Sequence, residues 1–167
     1  NYSDAAAYEA INYNSDTVTT TIVDETNNDP EVPEDNDVAY TFQVFAADAN
    51  GAISTDPSTI NEDGETSTHY VVLAVDANGD ALAIGSQPSG TVDVAFTNNG
   101  STTGGDYTTS GTVATIGAAF SSSAVDDAFA DNGETFTVSL EGNYSDAAAY
   151  EAINYNSDTV TTTIVDE

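Results

Sequence analysis

TVDVAFT, residues 91–97, places Val92, Val94 and Phe96 on one face of an extended chain and Asp93, Ala95 and Thr97 on the other. ETFTVSL, residues 134–140, repeats the pattern with Phe136, Val138 and Leu140. The same period-two alternation of β-branched and aromatic residues runs through VAYTFQVFA (38–46), THYVVLAV (68–75), GTVATI (111–116) and TVTTTIV (159–165). Each of these segments is expected to be a strand with one face on a core. Asn-Gly stands between such runs at 50–51, 78–79, 99–100 and 132–133, where it supplies the positive φ that tight turns need. Many short strands punctuated in this way predict an all-β fold, an antiparallel β-sandwich. SDAAAYEA (145–152) is the one helix-like stretch; its length leaves helix, loop and strand all open.

The charge balance narrows the function. The 167 residues hold 29 Asp and Glu and no Lys or Arg, a formal charge of -29, while 39% hydrophobic residues suffice for a core. Salt screens over only about 8 Å, so a compact state carrying these carboxylates needs counter-ions. Divalent cations would supply them; a halophile-like solubility surface is the alternative. Without basic residues the chain has no means of neutralising phosphates, which argues against nucleic acid and anionic membrane surfaces as partners. The absence of cysteine rules out disulfides and thiolate metal sites, leaving oxygen-ligated calcium or magnesium as the available staple. No run of about 18 apolar residues suggests direct membrane insertion, and any secretion signal is expected to lie outside these residues.

NYSDAAAYEAINYNSDTVTTTIVDE occupies residues 1–25 and recurs unchanged at 143–167. A segment cut from a tandem array carries such an overlap: the tail of one unit, then a whole unit. The expected organisation is therefore 1–25 as C-terminal strands of a preceding repeat, 26–37 as an acidic, Pro-containing, calcium-binding linker, and 38–167 as the β-sandwich repeat. DETNNDPEVPEDND (24–37) has two prolines and a dense run of acids, which splay unless a cation gathers them; a solvated flexible linker is the alternative. Neighbouring identical repeats are the expected partners, and a spacer is the natural role of such an array. Two competing readings remain. One is a self-assembling filament or surface-layer subunit joined by exchange of the duplicated strands, and the other is a ligand-binding adhesion module.

Four further stretches carry a family resemblance: INEDGETSTHYVVL (60–73), TVDVAFTNNGSTTGGDYTTSGTV (91–113), AVDDAFADNGETFTVSL (124–140) and TVTTTIVDE (159–167). In order and spacing they resemble a Calx-beta domain. The resemblance covers about two-thirds of the chain, most specifically at GGDYTTSGTV and at the run of two aspartates, a third aspartate and ETF; residues 27–59 match poorly. It implies an immunoglobulin-like sandwich of the kind repeated many times in giant RTX-type bacterial adhesins exported by type I secretion. There calcium stiffens an extracellular stalk that serves attachment and biofilm formation. By motif match it places acidic calcium ligands at Glu62, Asp63, Asp106, Asp126, Asp127, Asp131, Glu134, Asp166 and Glu167, with Asp131 standing where the family more often has Glu. Asp24 and Glu25, the first-copy counterparts of Asp166 and Glu167, would share a junction site with Asp29. Several calcium ions are implied, each taking about six to eight oxygens drawn from separate loops. The Gly-Gly-x-Gly-x-Asp nonapeptide that accompanies type I secretion does not occur.

Other motifs are weaker. DANGD (76–80) offers oxygens at alternating positions like the start of an EF-hand loop but lacks the later Glu, and an Asn-Gly turn explains the same residues; DANGA (48–52) is weaker still. His69, the single histidine, sits inside a strand with neither a second histidine nor a Gly-x-Ser-x-Gly, so a structural role is expected. Paired acids such as Asp126 and Asp127 follow a metal-loop pattern rather than a hydrolase cleft, and nine tyrosines without tryptophan offer no obvious sugar platform, so the chain is expected not to be an enzyme.

Overall fold

The computed structural model describes residues 10, 15–21, 38–64, 66–128 and 132–166. Residues 26–37, most of 1–25, and the candidate ligands Asp24, Glu25, Asp29, Asp131 and Glu167 lie outside the described residues.

Ten strands are described: β1 (Ala39–Ala47), β2 (Thr59–Asn61), β3 (Ser67–Val75), β4 (Thr91–Asn99), β5 (Tyr107–Thr109), β6 (Val113–Thr115), β7 (Phe120–Ala124), β8 (Thr135–Gly142), β9 (Ala152–Tyr155) and β10 (Val160–Val165). They form two five-stranded sheets, in the orders β5-β7-β3-β1-β9 and β2-β10-β8-β4-β6. The expected all-β sandwich is therefore the fold. Its pairings are antiparallel except at two sheet ends, where β9 runs parallel to β1 and β2 parallel to β10. SDAAAYEA resolves into a 3-10 turn over Ala147–Ala149 that leads into β9.

Alternation places the inward set as expected. Phe42, Val92, Val94, Phe136, Val138 and Ile164 are fully buried between the sheets, and the Phe136 ring stacks on Tyr107 with centroids 3.9 Å apart and planes 12° apart. β3 departs from alternation, because everything from Tyr70 to Val75 is buried. Its inner residues Tyr70, Val72 and Ala74 join the main core, whereas Val71 and Leu73 on the outer face pack with Ala47, Phe45 and Ala81 in a second cluster. The main core includes one polar network. The Tyr70 hydroxyl bonds Ser122 Oγ (2.8 Å) and Thr162 Oγ1 (2.6 Å), and Thr162 Oγ1 bonds Ser58 Oγ (2.7 Å), joining both sheets through groups that would be costly to bury alone.

The pairings also fix where the ends of the sandwich lie. Thr41 near the start of β1 faces Val75 at the end of β3, while Ser67 at the other end of β3 adjoins Asn61, whose carbonyl accepts from Thr66 N at 2.9 Å. Asn61 in turn pairs with Val165 at the end of β10. The chain thus enters β1 at one pole and leaves β10 at the other, separated by the length of β3, roughly 30 Å at about 3.3 Å per residue.

Candidate metal centre

Four connections meet at the pole where β10 ends: the β2–β3 turn, the β4–β5 loop, the β7–β8 loop and the residues that follow β10. Backbone hydrogen bonds stitch them together. Glu62 N donates to Val165 O at 3.0 Å, Gly133 N to Ile164 O at 2.9 Å, Ile164 N to Glu134 O at 2.8 Å, Val125 N to Asp106 O at 3.0 Å and Ala124 N to Thr66 O at 3.1 Å. Every predicted ligand that is described belongs to these connections: Glu62, Asp63, Asp106, Asp126, Asp127, Glu134 and Asp166.

Their environments differ. Glu62 is only 1% exposed and Asp106 6%, in a chain with no lysine or arginine to neutralise either. Asp106 is held by Thr103, whose backbone N–H donates to Oδ2 at 2.5 Å and whose hydroxyl donates to Oδ1 at 2.6 Å. Glu134 is half-buried beside a cavity of about 420 Å³ that Ser101 and Gly133 also line. Its Oε1 accepts from the Ser101 hydroxyl, whereas its Oε2 is buried without a hydrogen-bond partner. Gly133, at φ 91°, lets the backbone turn immediately before Glu134. Asp63, Asp126 and Asp127 are exposed and Asp166 is half-buried. Among the described residues, no three Asp, Glu or His side chains converge into a group that would hold a metal ion.

The fit of a hard cation to this pole rests on Glu134. A carboxylate oxygen withdrawn from water and lacking a donor costs about 1–3 kcal/mol or more, and a cation would offset that cost. Ser101 and Thr103, which hold Glu134 and Asp106 by their hydroxyls, were not singled out from the sequence. Their signal lies in the hydroxyl-rich STT that separates NNG from GGDY.

The two DANG segments serve their own backbones. Asp48 Oδ1 accepts from Asn50 N (2.8 Å) and Ala52 N (2.9 Å), and Asp76 Oδ1 accepts from Asn78 N (2.8 Å) and Asp80 N (3.0 Å). These bonds, that of Ala52 foremost for Asp48 and that of Asp80 foremost for Asp76, hold both carboxyls below the ordinary aspartate range. The turn reading of DANGD holds, and Asp76 sits at the pole opposite the acidic loops because it follows the end of β3. His69 lies in β3 opposite Ser121 and Ala47. Among the described residues no helix is long and apolar enough to cross a membrane.

No family model matches the chain, and no curated protein matches it. Among solved structures it is similar to the crystal structure of CBD12 from CALX1.2, with a TM-score of 0.43 and 14% identity over 75% of this chain. The match takes in 44% of that structure's chain, so this chain spans less than half of its length.

Proposed function

We propose that this chain is a calcium-stabilised spacer, an extender repeat in the extracellular stalk of a large bacterial adhesin. The observation that carries the reading is the polarity of the sandwich. β1 begins at one pole and β10 ends at the other, among the acidic loops. Units joined end to end through such a domain extend as a rod instead of doubling back. A following unit would enter its own β1 through a linker like residues 26–37, bringing the counterpart of Asp29 to the pole that bears Glu62, Asp106, Glu134 and Asp166, the last being this unit's counterpart of Asp24. Calcium shared at that junction would neutralise the buried acids and fix the angle between units. Export through a type I system as a loose chain at low calcium, followed by folding outside the cell, suits a domain with this charge.

The contribution is large enough to matter. One site at calcium 100-fold above its dissociation constant adds about 2.7 kcal/mol, against about 5–15 kcal/mol for an ordinary domain. Calorimetry in excess EDTA, then in millimolar calcium, with magnesium at matched ionic strength, tests the reading. A calcium-specific rise in melting temperature is expected. An identical transition in all three solutions would leave the acids as a solubility surface and remove calcium from the account.

A further inference from the structure

We infer that a cleft on the outer face of the sheet holding β1 and β3 docks a cationic polypeptide segment. One large apolar side chain of that segment enters the cleft, and lysines or arginines on either side of it meet aspartates at the rim. The inference is independent of calcium and goes beyond the spacer reading, since it concerns a face of the sandwich and not the junction between units.

After β1 the chain turns back on itself, with Ile53 bridged to Ala47 and Ser54 N donating to Ala46 O at 2.8 Å. After β3 it does the same, with Ala81 bridged to Val75 and Leu82 N donating to Ala74 O at 2.9 Å. The two returning segments do not close over the sheet between them. They leave a cleft of about 360 Å³ lined by Leu73, Ile53, Leu82, Ile84 and Gly117 of the β6–β7 turn. Ligand clefts begin at about 300 Å³, so this one has room for a single large side chain. Its rim holds aliphatic groups in water: Ile53 is 45% exposed and Ile84 91%, the latter in a 3-10 turn with no buried residue. One exposed isoleucine means little, but two beside an apolar hollow form a contact surface that the chain itself leaves unfilled.

Charge selects the occupant. Asp48 Oδ1 accepts from Asn50 N and Ala52 N, both on the cleft, while Asp80 immediately precedes Ala81 on the other lining segment and donates its N–H to Asp76. All three carboxylates are exposed, and the chain has no lysine or arginine to answer them. A second copy of this chain would bring 29 more acids and no base against that rim, which makes it the poorest occupant. An acidic or purely apolar segment would crowd the aspartates without pairing them. A segment with basic residues around an apolar one meets both demands. Its apolar side chain takes Leu73 and the isoleucines out of water, and its cations pair at the rim and hasten encounter.

The chain has no tryptophan, so a tryptophan in a probe peptide reports without background. A blocked peptide with one tryptophan between pairs of lysines is added to the full chain in millimolar calcium. It is expected to bind with its emission shifted to the blue, about tenfold tighter than the same peptide with glycine at its centre, the factor that part-burial of one aromatic side chain gives. Ile53→Ser with Ile84→Ser should erase most of that difference and the blue shift. Asp48→Asn with Asp80→Asn keeps the turn acceptor at Asp48 and should weaken the tryptophan peptide several-fold; should the isoleucine variant unfold, this one decides alone. The inference is overturned if the glycine peptide binds as tightly, which would leave only a diffuse counter-ion atmosphere, or if a glutamate-flanked tryptophan peptide binds equally well. It is overturned also if the blue shift survives loss of both isoleucines, if the aspartate variant binds unchanged, or if light scattering shows the chain dimerising through this face.

Discussion

Replacing Glu134 by glutamine preserves shape and removes the charge, and its effect on stability should reverse sign with calcium. In EDTA the buried Oε2 without a donor is a liability, and withdrawing its charge should stabilise the fold by about 1 kcal/mol, the low end of the cost of an unsatisfied buried group. The Ser101 hydroxyl still finds an acceptor in the amide carbonyl. In calcium the same change removes a charged ligand, and most of the roughly 2.7 kcal/mol available at 100-fold saturation disappears. At roughly 3 °C per kcal/mol for a domain of this size, melting should rise by about 3 °C in EDTA and fall by about 5 °C in calcium, where the gain of about 1 kcal/mol partly offsets the lost increment. Calorimetry of both proteins in both solutions gives the four temperatures. Equal destabilisation in the two solutions would refute the reasoning, because Glu134 would then be an ordinary structural residue.

Three other outcomes follow from the fold. Phe136→Ala empties a fully buried site stacked on Tyr107 and should cost about 3–5 kcal/mol by urea unfolding, with the calcium increment retained. Gly90→Ala sets a methyl 2.7 Å from Ser145 Oγ and 2.8 Å from Tyr144 Cε2 at φ 125°, and a loss of about 1–3 kcal/mol is expected in the same assay. Asp48 and Asp76 have folded pKa values depressed by backbone donors, so their contribution is complete above the ordinary aspartate value of 3.8 and is lost as pH falls through the lower folded values. Carboxyl carbon NMR in EDTA should show both titrating below that value; titration at 3.8 or above would dismiss the turn bonds as their cause.

Legibility of the fold followed the length of the alternating run, so β6, three residues long, was visible within the six-residue GTVATI. The stretches that became β1, β3, β4, β6, β8 and β10 announced themselves by alternation. β2 and β5 have three residues each, too few to show a period, and β7 hides its inward face behind serines, since FSSSA buries Ser122 between Phe120 and Ala124. β9 follows a turn that resembles a helix start, and its parallel partnership with β1 depends on distant contacts that no local pattern encodes. At the candidate site the motifs located the loops, because the acids of a loop stay near its strand ends. They did not distinguish buried Glu62 and Asp106 from exposed Asp63, Asp126 and Asp127, a difference set by how the loops pack on one another.

The place of β10 in its sheet also sets a timetable. Among the described residues β2 has no strand neighbour other than β10, and Ser58 reaches its partner Thr162 across 104 residues. As the chain emerges from N- to C-terminus, the second sheet stays split, with β2 waiting apart from β8, until nearly the whole unit is available. Closure across so long a loop is slow. The sandwich therefore completes itself late and nearly all at once, its second sheet open until the final dozen residues are free.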